Sequence, residues 1–142
     1  MTERIPFEIP DDGEPLIEGL ESHLYVVEFG EHGVKVGITA NPKTRMAQHE
    51  RDGRNFGRLV TRVWVSGPHA EAAANERAVI AYCRDLAGVS SSRRGEYFSV
   101  PYDDVQQYAV GLPKSRGDRE AFEARVNAGF NVFKSIALGG HA

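Results

Sequence analysis

Residues 24–38 read LYVVEFGEHGVKVGI. Leu24 to Phe29 is rich in β-branched and aromatic side chains, which fit a pleated and buried surface, and Val34 to Ile38 alternates apolar with other residues. Between them Gly30-Glu31-His32-Gly33 supplies turn chemistry, so the stretch is expected to be a β-hairpin with a four-residue connection.

Downstream, Asn41 suits a helix N-cap and Pro42 a first helical position, which predicts a helix over Pro42 to Arg51 that Gly53 stops. Arg58 to Ser66 alternates again and is expected to be a third strand. Gly67-Pro68 is then read as opening a long alanine-rich helix that runs to Leu86 and is closed by Gly88. On it Ala72, Ala73, Val79, Ile80, Cys83 and Leu86 fall near one face, and Glu76 sits in largely apolar company. After a polar, basic loop over Ser90 to Gly95, Glu96 to Val100 is expected to form a short strand or edge and Asp103 to Val110 a helix with an acidic first turn. Gly111-Leu112-Pro113 breaks the chain, and Arg116 to Leu138 reads as a last amphipathic helix with Phe122, Val126, Phe130, Phe133 and Ile136 as its stripe. Such a helix covers the core or pairs with a second copy to make a homodimer; periodicity does not choose between them. The fold class is therefore α+β, a β-β-α-β-α core around a mainly antiparallel three-stranded sheet flanked by helices, with a C-terminal helix added. Residues 1–21 are expected to form an acidic arm with a short helical turn at Leu16 to Leu20, 22–110 the domain and 111–142 the extension.

Composition narrows the function classes. The chain has 142 residues, the size of one domain, and its 41% hydrophobic and 26% charged residues are those of a folding globular protein. The lone cysteine, Cys83, excludes an internal disulfide and any cysteine-built metal cluster, so a metal would need oxygen or imidazole ligands. No apolar run is long enough to span a bilayer, and MTERIPFEIPDDGEP lacks the features of a secretion signal, so a cytoplasmic location and no membrane partner are expected. The net charge of -3 conceals a division: residues 1–31 carry nine acids against one base, and the rest carry sixteen bases against eleven acids. Lys35, Lys43, Arg45, Arg51, Arg54, Arg58 and Arg62 are opposed within their stretch only by Glu50 and Asp52. That density either holds a phosphate backbone or is a solvated surface. The acidic arm is also a candidate to lie over the basic surface as a mimic of nucleic acid.

The element order and five positions within it resemble the GIY-YIG nuclease superfamily. His23-Leu24-Tyr25 and Lys35-Val36-Gly37 stand where the family's two signature tripeptides lie on the hairpin strands, Arg45 and His49 follow on the next helix, and Glu76 occupies the later helix. Lysine in place of the second motif tyrosine, together with Gly95-Glu96-Tyr97-Phe98, is similar to the phage-type, T5orf172-like subgroup. The first tripeptide departs from the family in lacking its Gly-Ile, and the downstream asparagine of many members has only Asn75, next to the glutamate, near its place.

The resemblance implies a metal-dependent endonuclease that hydrolyses phosphodiester bonds of nucleic acid, most naturally DNA, with one metal ion. Glu76 would hold Mg²⁺ or Mn²⁺, a hard cation that one carboxylate, waters and substrate oxygens can satisfy. Tyr25 would serve as general base or position the water, with Lys35 across the hairpin drawing its phenol pKa down. Arg45 would clamp the scissile phosphate, and His49, one turn along, would bond it or shuttle the proton. Lys43, Arg51, Arg54, Arg93 and Arg94 are candidates for backbone contacts. Taken without the resemblance, Tyr25 also suits core packing, Lys35 a solvated edge, Arg45 and His49 a surface helix face, and Glu76 an ion pair with Arg77. An alternative of a different class is a catalytically silent module of this fold that binds nucleic acid or protein.

Overall fold

The computed structural model describes residues 5–10, 13, 21–87 and 97–113. Arg93 and Arg94, the Leu16 to Leu20 turn, the Gly88 stop, Gly95-Glu96 and the helix expected over Arg116 to Leu138 lie outside the described residues. The elements are β1 (His23–Glu28), β2 (Val34–Thr39), α1 (Pro42–Phe56), β3 (Arg62–Pro68), α2 (Ala72–Ala87) and α3 (Tyr102–Val110), with a single 3-10 turn at Gly30–His32 inside the hairpin. The protein is an α+β fold with a three-stranded antiparallel sheet in the order β2-β1-β3.

β1 is central, and this explains its composition. It is buried on both faces, so Leu24 to Val27 is a continuous apolar run rather than an alternation. Leu24 and Val26 point to one side, where Val34 and Val36 of β2, Val79 and Cys83 of α2, Val105 and Ala109 of α3, and Phe98 form the larger core, with Trp64 packed against it. Tyr25, Val27 and Phe29 point to the other, toward Met46 of α1, Val60 and Val65, with Tyr97 and the arm residues Ile5 and Phe7 against them. The arm is held there by the Ile5 amide, which donates to Glu50 Oε1 at 2.7 Å.

Four boundaries differ from those expected, each for a local reason. α1 passes through Gly53 and ends at Phe56, because the left-handed conformation that closes it belongs to Gly57, at φ 71°. Gly53 is buried, and its carbonyl accepts the Arg58 amide at 2.8 Å while the Arg58 carbonyl folds back onto its α-carbon. β3 begins four residues later than expected and continues through Gly67-Pro68, which do not open a helix: Pro68 pairs with His23, and the Ser66 hydroxyl accepts the Leu24 amide at 2.8 Å across a register shift. α2 therefore starts at Ala72. Its buried stripe is Ala72, Asn75, Val79 and Cys83, so Ala73 and Leu86 face solvent and Ile80 is half-buried. Of the strand expected over Glu96 to Val100, the described residues from Tyr97 onward make one bridge, Phe98 with Val34, the two amides and carbonyls exchanging bonds of 2.9 Å at the β2 edge. Elsewhere the local signals hold: Asn41 Oδ1 accepts the Thr44 amide at the start of α1, with Pro42 beside it. Among the described residues no helix is long and apolar enough to cross a membrane.

Candidate functional site

Tyr25 is the residue around which the candidate site is organised. In the hairpin register it lies opposite Gly37, and its ring rests on that glycine: a Cβ at Gly37 would fall inside the Tyr25 hydroxyl and ring. The glycine ending the second signature tripeptide is thus the floor that lets the phenol lie flat across β2. Its hydroxyl meets His49 Nε2 at 3.1 Å, with ring centroids 5.3 Å apart. His49 is carried by α1, buried, and closed on its other side by the edge of Phe29 at 6.0 Å.

The electrostatics follow from that burial. Burial pushes the Tyr25 pKa up; the Arg45 guanidinium draws it down, and the Glu76 carboxylate adds to the rise. His49 is lowered to about 4, first by burial and then by the charges of Lys35 and Arg45, so its imidazole is neutral at pH 7. Arg45 is the cation that draws the Tyr25 pKa down, and burial, the larger effect, leaves the phenol harder to ionise than a free one. Lys35 pairs with Val27, the next pair along the same face of the ladder from Tyr25 and Gly37, and its charge acts on His49.

Lys35, Arg45 and His49 line a cavity of about 160 Å³ between α1 and the sheet, together with Gln48, Asp52, Phe56, Arg58 and Tyr97. Glu76 does not line it. Half-buried on α2, Glu76 is tied to the group through its charge at the Tyr25 hydroxyl, and among the described residues it has no ion-pair partner, Arg77 included. Lys43, Arg51 and Arg54 are exposed on α1 but none lines the cavity; at 100° per residue Arg54 lies half a turn around the helix from Arg45. Asn75 is not a site residue: fully buried, its amide donates to the Pro113 carbonyl at 2.8 Å and meets His69 Nδ1 at 2.9 Å. Sequence reasoning gave no role to Phe56 and none to Tyr97 beyond its place in a motif, and it placed Gly37 in a signature tripeptide without the contact that requires it. The i, i+4 spacing of Asp52 and Phe56, continuing Arg45 and His49 along α1, was a signal that could have found Phe56.

Does this donor set fit a divalent metal? Among the described residues no three His, Cys, Asp or Glu side chains gather into a cage. The half-buried Glu76, which has no ion-pair partner among the described residues, suits a hard cation that keeps its waters and takes substrate oxygens.

A hairpin bearing tyrosine and lysine, a helix bearing arginine and histidine, and a second helix bearing glutamate, all on a three-stranded antiparallel sheet, make a small GIY-YIG-like α+β module. The model of the T5orf172 domain matches residues 22–113, and the chain belongs to that family, whose members are nuclease-like, phage-related modules. No curated protein and no solved structure matches the chain.

Proposed function

We propose that this protein is a divalent-metal-dependent endonuclease that hydrolyses phosphodiester bonds, with DNA as its substrate. The observation that carries the reading is the Tyr25 hydroxyl held against a neutral imidazole, with a guanidinium and an unpaired carboxylate both close enough to act on it.

In this scheme Arg45 takes the non-bridging oxygens of the scissile phosphate with its planar fork, and Lys35 adds charge from the neighbouring strand. Glu76 would hold the Mg²⁺ or Mn²⁺ ion. When bound, that ion supplies positive charge for the oxygen that leaves phosphorus. The attacking water passes its proton to the Tyr25 oxygen as the Tyr25 hydroxyl proton moves to His49 Nε2, so the phenol relays the proton without standing as a free phenolate. A bound phosphodiester favours this relay, because its negative charge offsets the Lys35 and Arg45 charges that add to burial in holding the imidazole pKa down.

Glu76→Gln and Arg45→Ala should each reduce Mg²⁺-dependent cleavage of a supercoiled plasmid by at least a hundredfold while circular dichroism stays unchanged. Full activity in both variants would reject the assignment. A second reading, a module that binds nucleic acid without cutting it, draws support from the raised Tyr25 pKa. It is favoured if the unmodified protein shifts DNA in a salt-sensitive way yet cuts none with any divalent metal.

A further inference from the structure

The cavity beside the Tyr25–His49 pair holds a cation, Arg58, and an exposed ring, Phe56, that hydrolysis at one phosphate does not use. Three cations, Lys35, Arg45 and Arg58, look into it against one carboxylate, Asp52. None of the three has an ion-pair partner among the described residues. Two are held by an aromatic ring instead of an acid: the Arg58 guanidinium sits 4.9 Å from the Tyr97 ring centroid and the Lys35 ammonium 5.8 Å, while Tyr97 is fixed edge-on by Phe29 at 5.2 Å. A π-face positions a cation without neutralising it, so these charges remain available to an anion.

At the rim stands Phe56, the last residue of α1, which is 76% exposed and belongs to neither core cluster. A bare phenyl ring beside unneutralised cations matches the two parts of a nucleotide, a π-faced base and an anionic phosphate. A base inside a duplex is stacked above and below and has no free face for such a ring.

We propose that this cavity is a subsite for an unpaired nucleotide flanking the scissile phosphodiester, its phosphate on Arg58 and its base against Phe56. The preferred substrate is then a strand with a single-stranded, bulged or displaced nucleotide next to the cut, rather than uniform duplex. The subsite rests on the nuclease reading for its position beside a scissile bond, but its binding is measurable without cleavage.

The test is fluorescence anisotropy with the full chain in EDTA, comparing a labelled perfect DNA duplex with the same duplex carrying one extra unpaired nucleotide. The unmodified protein should bind the bulged duplex about tenfold more tightly, the gain of one base stacked on an aromatic ring. Phe56→Ala should abolish that difference. Arg58→Ala should weaken binding to both and lower the slope of log affinity against log salt by about one. Equal binding of the two duplexes by the unmodified protein, or a Phe56→Ala variant that keeps the preference, overturns the proposal. The two readings fail separately: a fully active Glu76→Gln protein with the Phe56 effect intact removes the catalytic assignment alone. An inactive Glu76→Gln protein with no Phe56 effect removes the subsite alone.

Discussion

His49 is an imidazole kept uncharged by its surroundings. Tyr25 and Phe29 bury it, and the charges that face it are Lys35 from β2, Arg45 and Asp52 from α1, with the two cations outweighing the carboxylate. Its folded pKa of about 4 lies below the ordinary 6.5, so between those values the unfolded chain binds the proton that the folded chain refuses. Stability from this group is complete above pH 6.5 and is lost as pH falls through about 4, by an amount on the order of 3 kcal/mol. His49→Gln keeps a hydrogen-bonding partner for Tyr25 and removes the titration. Urea unfolding at pH 7 and at pH 4.5 should therefore show a smaller acid loss in the variant, and equal losses would mean that His49 is charged in the folded protein. At this scale the sequence was informative about identity but not about pairing. Tyr25, Lys35, Arg45, His49 and Glu76 were all legible as candidates, yet which cation serves which acceptor depends on a ladder register and a helix position that no local pattern encodes.

At the scale of the elements, the helix that carries Arg45 and His49 illustrates why boundaries were harder than existence. Asn41-Pro42 marks its start, because an N-cap and a pre-set φ are local chemistry. Its end is not local: Gly53 reads as the stop, but the Arg58 backbone folds against Gly53 within the helix and Gly57 adopts the left-handed cap. That extra turn brings Phe56 to the cavity rim. Gly57→Ala would place a Cβ in the left-handed region with open space around it, so only the backbone conformation is penalised, by about 1 kcal/mol. A matching shift in the denaturation midpoint with an unchanged slope is the expected result. The limits of α2 moved for a related reason: Gly67-Pro68 looks like a helix opening, but tertiary pairing of Pro68 with His23 overrides it.

For the whole molecule, the charge division of the sequence takes a different form once folded. The acidic beginning of the chain is not simply a solvated tail, since Ile5 and Phe7 pack against the cluster that contains Tyr25 and Met46, and Glu50 receives the Ile5 amide. The arm thus helps close the sheet face on which the candidate site is built. Phe7→Ala should lower stability by about 1 to 2 kcal/mol, less than for a fully buried phenylalanine because Phe7 is half-buried. Hydrogen exchange should quicken at Val27 and Phe29 as well as at the arm; unchanged protection there would mean that the arm contributes nothing to this face.

The sequence by itself determined the α+β class, the hairpin, the start of α1 and the roster of chemically capable side chains, because strand periodicity, capping and residue chemistry act over a few neighbours. Only the tertiary structure decided that Gly37 floors Tyr25, that the His49 imidazole is neutral, that Asn75 is a buried strut and that Phe56, Arg58 and Tyr97 share a cavity. Those facts arise from contacts between segments distant along the chain, where burial and the mutual field of neighbouring charges set the chemistry.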